Sequence, residues 1–261
     1  RAMIEEMKYR KVDADTLEHV AWNAIMTTDS EVGTRLIFGL KNKGCSYWRA
    51  DEDGVGCTMC GYFAGTPFGQ EFTADQLIAQ VRNILNDSRD IRFDVVDFAS
   101  DGSFLANNEV SPEARAGIFE LIAQEEKVKR VLIETKPGFF SEDKIEDLLG
   151  YLRPDQRLEV GFGLETTSPF ISNFSINKGY GTEEFERAVE SIQRINERNR
   201  VNDRPEVSVI VYSMIKPPYL TDKQAIEDTV KTGKYVSELR KRTGVDMSMK
   251  IEPGVVPKGT L

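Results

Sequence analysis

Short apolar runs bounded by turn residues alternate along this chain with longer segments whose apolar residues recur at helical spacing. The runs at 35–40, 93–99, 130–134, 158–164, 207–212 and 247–251 read as strands. Between them lie helices with legible starts. Thr73 and Gln76 have capping-box spacing ahead of Leu77, Val81, Ile84 and Leu85, and Thr221 with Gln224 repeats it. Ser111 followed by Pro112 is a cap with proline in the first turn. Ser141 precedes Ile145, Leu148 and Leu149, and Thr182 precedes Phe185, Val189, Ile192 and Ile195 on one helical face. An earlier amphipathic stretch, with Leu17, Val20, Ala21, Ala24 and Ile25, predicts a short N-terminal helical segment within about residues 1–30.

Strands alternating with helices imply an α/β fold with a parallel sheet and right-handed crossovers. Several strands are apolar throughout, as when helices cover one face and a packed interior the other. An open doubly wound sheet and a partial barrel both satisfy this order. No repeat, low-complexity tract or linker interrupts the 261 residues, so the chain reads as a single domain. It begins at Arg1 rather than Met, as a trimmed chain would, and its end soon after the last strand leaves room for a C-terminal extension.

Composition narrows the chemistry. With 40% hydrophobic and 30% charged residues, the chain has the profile of a globular protein. No apolar run approaches bilayer length and no signal-peptide pattern opens the chain, so a cytoplasmic location is expected. The formal net charge is −9, whereas a protein that grips nucleic acid unaided carries a basic face. Arg194, Arg198, Arg200 and Arg204 share their stretch with Glu186, Glu190, Glu197 and Asp203, which reads as a solvated helix face. His19 is the only histidine, so Ser-His-Asp hydrolysis, HExxH zinc proteolysis and two-histidine metal sites cannot be assembled.

All three cysteines follow the pattern Cys45-x11-Cys57-x2-Cys60, in a glycine-rich loop directly after the first predicted strand. Clustered cysteines outside an oxidising compartment bind metal or do redox chemistry more often than they form disulfides. A structural zinc site wants four ligands, and neither a fourth cysteine nor a nearby histidine is present. Three thiolates on a 4Fe-4S cluster leave one iron open to an outside ligand. Such an iron can chelate the amino and carboxylate groups of S-adenosyl-L-methionine (SAM), and one electron passed to the sulfonium then breaks a C–S bond.

With these residues in place, the chain resembles the radical SAM enzymes of the Elp3-like branch, more narrowly the archaeosine-synthase radical SAM subunit and its bacterial relatives. The matching segments are GCSYW and GCTMCGY at the cysteines, then DGSF, IETKPG, GFGLETTS, SINKGY, IKPPYLTDKQAIED and IEPGVVPKGTL. They span about residues 36–261, and the run from Gly163 to Asp228 is the most specific. The resemblance implies a partial (βα)6 barrel of the TIM-like type, with SAM across the C-terminal ends of the strands. It implies that Cys45, Cys57 and Cys60 are catalytic and hold the metal, and that Met59 and Tyr62 lie near the adenine. Gly102 and Ser103 fall where the methionine amino group is bound. Glu134 and Glu165 become candidate acceptors for that amino group or the ribose hydroxyls. Lys178 and Lys216 become candidate partners of the SAM carboxylate or of an anionic substrate, and Ile215 packs beside the adenine. Met59 departs from the pattern, since many of these enzymes place an aromatic before the last cysteine.

The resemblance further implies an external electron donor of the flavodoxin or ferredoxin type. It points to a deazaguanine base in tRNA as substrate, with a partner subunit to carry the tRNA. A small molecule of a bacterial biosynthetic pathway is the alternative, and it needs no RNA contact. A non-catalytic iron–sulfur or zinc scaffold is the reading from another class; it leaves the segments beyond the cysteines without a use. Which C–S bond of SAM is cut, and the oligomeric state, are open at this stage.

Overall fold

The computed structural model describes residues 17–27, 33–50, 56–61, 69–100 and 102–253. Seven strands form one sheet: β1 (Trp22–Thr27), β2 (Thr34–Gly39), β3 (Val95–Phe98), β4 (Arg130–Glu134), β5 (Arg157–Glu165), β6 (Ser208–Met214) and β7 (Met247–Glu252). They lie side by side in the order of the sequence. β1 is antiparallel to β2, and every later pair is parallel. Helices α1 (Ser46–Ala50) and α2 (Ala74–Asp87) follow β2, and one long helix follows each of the next four strands. These are α3 (Pro112–Gln124), α4 (Glu142–Tyr151), α5 (Thr182–Val201) and α6 (Asp222–Thr243).

That order decides between the two architectures the sequence allows. A doubly wound sheet reverses its strand order at a switch point. Here the order never reverses, so right-handed crossovers put every helix on the same face. The sheet curls away from them into a partial TIM-like barrel. The predicted caps hold the helices in place. Thr73 and Gln76 exchange bonds of 3.2 and 2.9 Å, Thr221 and Gln224 bonds of 3.3 and 2.9 Å, and the Ser111 hydroxyl accepts from Ala114 N at 3.2 Å.

The expected N-terminal helix is corrected where the structure describes it. Trp22–Thr27 form β1, an edge strand, and His19 lies exposed in the turn before it. Five apolar positions at helical spacing lost to pairing with β2, whose other edge is already buried against β3. Residues 1–16 lie outside the described part.

Alternation along the strands separates two environments. Leu36, Phe38, Val96, Phe98, Val131, Ile133, Val160, Phe162, Val209 and Val211 face the helices and share one core with Leu77, Ile118, Phe119, Phe185 and Ile192. The opposite face is packed, with Val95, Leu132 and Ile210 buried on it, but it is not apolar throughout. Its positions include Arg35, Asp97, Glu134, Glu159, Tyr212 and Lys250. Arg35 Nη1 lies 3.1 Å from Asp97 and its Nη2 3.8 Å from Glu159, which also pairs with Arg130 at 3.0 Å. Arg35 Nε, Asp97 Oδ1 and Glu159 Oε2 are buried without a hydrogen-bond partner. The concave side of the barrel therefore mixes buried apolar residues with polar groups short of partners.

Glu134 shows what this environment does to an acid. Burial and the neighbouring Asp97 push it up from 4.5 to about 7, against the pull of the Tyr212 hydroxyl and Lys250, with Glu252 adding repulsion. An acid raised on folding stabilises the fold below its unfolded value, and that contribution is lost as pH rises through the folded value. Stability is thus expected to decline between about pH 4.5 and 7, and the Glu134→Gln variant should flatten that part of a melting-temperature profile.

On the outside, Arg194 and Arg198 reach across to Glu142 at 2.8 Å each, and Arg198 to Glu146 at 2.5 Å. Two arginines of the cluster are thereby spent on the neighbouring helix, and Arg200 pairs with Glu206. Among the described residues no helix is long and apolar enough to cross a membrane.

Candidate active site at the mouth of the barrel

Each parallel strand ends at the same rim, so the loops that follow them meet there. The loop after β2 carries the cysteines. Cys57 is buried, while Cys45 and Cys60 are half-buried, and none of the three is in a disulfide. Cys60 N donates to Cys57 O at 3.0 Å, which closes a tight turn with half-buried Met59 at its tip. Tyr62 lies outside the described residues, as do Asp101 of the DGSF segment and positions 254–261.

Two other loops grip this turn. From the β5 side, Thr58 N donates to Ile176 O at 2.8 Å and its hydroxyl to Ser175 O at 2.6 Å. Asn177 Nδ2 donates to Gly56 O at 2.9 Å, and the Tyr47 hydroxyl to Asn177 O at 3.1 Å. The gripping segment is a π-helical turn, Ile171–Ile176, ended by Asn177 in the left-handed conformation. Such wide turns are frequent at functional sites. From the β3 side, buried Glu109 accepts from Ser46 N at 2.6 Å and from Ser103 N at 2.5 Å. One carboxylate thus ties the residue after Cys45 to the DGSF loop. Burial raises its pKa and these amide donors hold it back.

Gly102 is where the two loops touch. Its φ is +130°, open to glycine and strained for other residues, and a Cβ there would strike the Glu109 carboxylate and stand 3.1 Å from Cys45 Cα. Gly102→Ala is expected to drive Glu109 off the two amides and loosen the cysteine loop. The readout is the alkylation rate of the buried Cys57 thiol, which should rise about tenfold or more.

Glu165 and Lys178 form the charged centre of the rim. Lys178 Nζ donates to Glu165 Oε1 at 2.8 Å, and both side chains are almost wholly buried. Burial works against the Lys178 cation, yet Glu165 and Tyr180 hold its pKa well above the ordinary lysine value. Glu165 has φ +64° at an irregularity between β5 and β6, a conformation that costs a non-glycine residue energy and clusters at working sites. Gly163 makes room for the pair, since a Cβ there would lie 2.7 Å from Lys178 Nζ. The Cys57 thiol is pushed up by burial and pulled down by Lys178 and Lys136. Burial outweighs the two cations, so the thiol is raised overall, and its proton would leave on metal binding.

The structure therefore draws Cys45, Cys57, Gly102, Ser103, Glu165 and Lys178 into one connected region. Ser103 is fully buried there, its hydroxyl accepting from Lys136 N at 3.0 Å. Glu134 stands below, on the concave face, hydrogen-bonded to Tyr212. Ile215 is 41% exposed at the end of β6, with its N–H on Glu252 O at 2.9 Å. Lys216 pairs with Asp222 on the surface instead of joining the group. The sequence reading missed Glu109, Lys136 and Tyr47. Lys136 Nζ sits 3.5 Å from the centre of the Tyr47 ring. The only sequence signal for them is membership of the segments GCSYW and IETKPG for two of the three.

Among the described residues no three His, Cys, Asp or Glu side chains are gathered as a ready metal site. The donor chemistry nevertheless suits an iron–sulfur cluster: three thiols on one loop, none of them in a disulfide, with cations beside the most buried of them.

No protein-family model matches the chain. It is 32% identical over 212 residues to archaeosine synthase subunit beta of Methanosarcina acetivorans, covering 78% of this chain and 57% of that protein. It is 29% identical over 209 residues to archaeosine synthase subunit beta of Thermococcus kodakarensis, covering 79% and 60%. An uncharacterised protein of Methanocaldococcus jannaschii is 31% identical over 238 residues, covering 89% and 60%. The chain thus spans less than two thirds of the length of these relatives. Among solved structures it is similar to the radical SAM methyltransferase TsrM from Kitasatospora setae, with TM-score 0.46, 14% identity and coverage of 82% of this chain and 34% of that one. Elp3 of Methanocaldococcus infernus gives TM-score 0.45 and 19% identity, over 69% of this chain and 42% of that one.

Proposed function

We propose that this chain, a relative of archaeosine synthase subunit beta in the Elp3-like branch of radical SAM proteins, is an enzyme that holds a 4Fe-4S cluster on Cys45, Cys57 and Cys60. The observation that carries this reading is the convergence of the three-thiol loop with the β3 and β5 loops at the barrel mouth, through Glu109, Thr58 and Asn177. When bound and reduced, such a cluster supplies one electron to the SAM sulfonium, which splits a C–S bond.

The chain's own residues bind and orient. Glu165 presents a carboxylate already fixed by Lys178, a ready acceptor for the SAM amino group, while Lys178 balances its charge out of water. Gly102 exposes backbone at a point of close approach beside Cys45. Glu134, Tyr212 and Lys250 line the concave face below and offer hydrogen-bonding groups to a polar substrate. By likeness to its relatives the substrate is a deazaguanine base in tRNA. The net charge of −9 and the paired arginines of α5 favour delivery of that RNA by a partner subunit, with an external flavodoxin or ferredoxin as electron source. The same charge also supports the second reading, a small-molecule substrate that needs no RNA contact.

The test is anaerobic: reconstitution with iron and sulfide, reduction with dithionite, addition of SAM, and mass spectrometry of the nucleoside product. 5′-Deoxyadenosine establishes the reading with one bond broken, and methylthioadenosine with the other. A loaded protein that yields neither, with substrate-like RNA present, refutes it. Replacing Glu165 with Gln should weaken SAM binding about tenfold while iron content stays near normal. Loss of iron in that variant would mark Glu165 as a folding residue.

A further inference from the structure

Between the π-helical turn and the start of α6 lies a groove of about 620 Å³, lined in part by Phe170, Phe174, Tyr219, Glu227, Asp228 and Lys231. That volume is in the range of small-molecule sites. No cysteine lines it, and neither Glu165 nor Lys178 does, although it shares Ser175 and the π-helical turn with the mouth described above.

Two of its features are costly for an empty groove. Phe170, Phe174 and Tyr219 are 71%, 73% and 78% exposed, and the two phenylalanine rings stand 5.1 Å apart. Large apolar surface gathered in one place marks an interaction site. Beside them Asp228 is 95% buried, at 5% exposure. Its Oδ1 accepts from the Thr166 hydroxyl at 2.8 Å, but Oδ2 is buried with no hydrogen-bond partner, only the charge of Lys231 acting on the carboxylate. A buried acceptor left unmade carries a desolvation penalty that a ligand can relieve.

The charges say which ligand. Glu227 and Asp228 against Lys231 leave the lining negative, so a phosphate or carboxylate ligand is disfavoured. A cation is favoured twice, by the carboxylate and by the aromatic faces. A guanidinium satisfies both at once, because it is planar, stacks on rings, is weakly hydrated and offers paired N–H donors; an ammonium offers a compact, strongly hydrated charge. We propose that this groove binds a planar organic cation of the guanidinium class, with its N–H groups on Asp228 and its face on Phe170 and Phe174.

The experiment needs neither iron nor SAM, so it is independent of the proposed enzyme activity. The chain is titrated with L-argininamide and separately with L-lysinamide, with calorimetry or NMR shifts as readout. Saturable binding of argininamide is expected in the millimolar range, with lysinamide about tenfold weaker. Asp228→Asn keeps an acceptor for Thr166 and should weaken argininamide about tenfold. Phe174→Ala removes only exposed surface and should weaken it severalfold. No saturable binding, equal binding of the two amides, or unchanged binding in both variants would overturn the site.

Discussion

Replacing any one of Cys45, Cys57 and Cys60 with Ala is expected to abolish the visible absorbance of the reconstituted cluster and all cleavage of SAM. The effect is all-or-none because no spare ligand exists. The chain has three cysteines and one histidine, and His19 is exposed in the bend before the edge strand β1. Two thiolates cannot replace three at a cluster whose fourth iron must stay open. The folded barrel should survive each change, since Cys45 and Cys60 are only half-buried and the core lies on the other face of the sheet. Circular dichroism of the metal-free variants checks that point. Retained SAM cleavage in any of the three would end the cluster assignment.

The second large effect falls on stability. Arg35→Met should destabilise the fold by about 3–5 kcal/mol, because it takes the guanidinium from buried Asp97 and leaves Glu159 with Arg130 alone. The side chains of Arg35, Asp97 and Glu159 are 5%, 2% and 8% exposed, so water cannot take the arginine's place. Asp97 is already raised by burial, with Arg35 among the groups holding it down. Without the guanidinium Asp97 is pushed up further by its burial, so the loss should be largest at neutral pH and shrink on acidification. Denaturant unfolding at two pH values reads this directly. A companion change, Asp97→Leu in the Arg35→Met background, should recover much of the loss. A single variant as stable as the parent would show that the concave network contributes nothing.

How much of this was legible from residues alone follows a physical divide. Helix starts were readable because a cap is local: Thr73–Gln76 and Thr221–Gln224 lie within one turn. The six parallel strands were readable because each has a run of core-facing apolar residues. β1 was not, since its pairing energy comes from β2 and its side chains are half in water. The charged concave face was present in the sequence as Arg35, Asp97 and Glu159, but single charges inside apolar runs announce nothing until the register aligns them. At the site, Glu165 and Lys178 stood out by their segments. Glu109 did not, being an unremarkable acid 63 residues from the amide of Ser46 that it serves.

The sequential strand order has a consequence for how the molecule is made. Each strand after the first finds its partner already synthesised, so the sheet can grow vectorially from the ribosome, one βα unit at a time. The cysteine loop emerges early, yet the residues that clamp Thr58 and Gly56 are 175–177. For the more than one hundred residues of synthesis in between, the thiols hang on the loop after β2 with that clamp still missing.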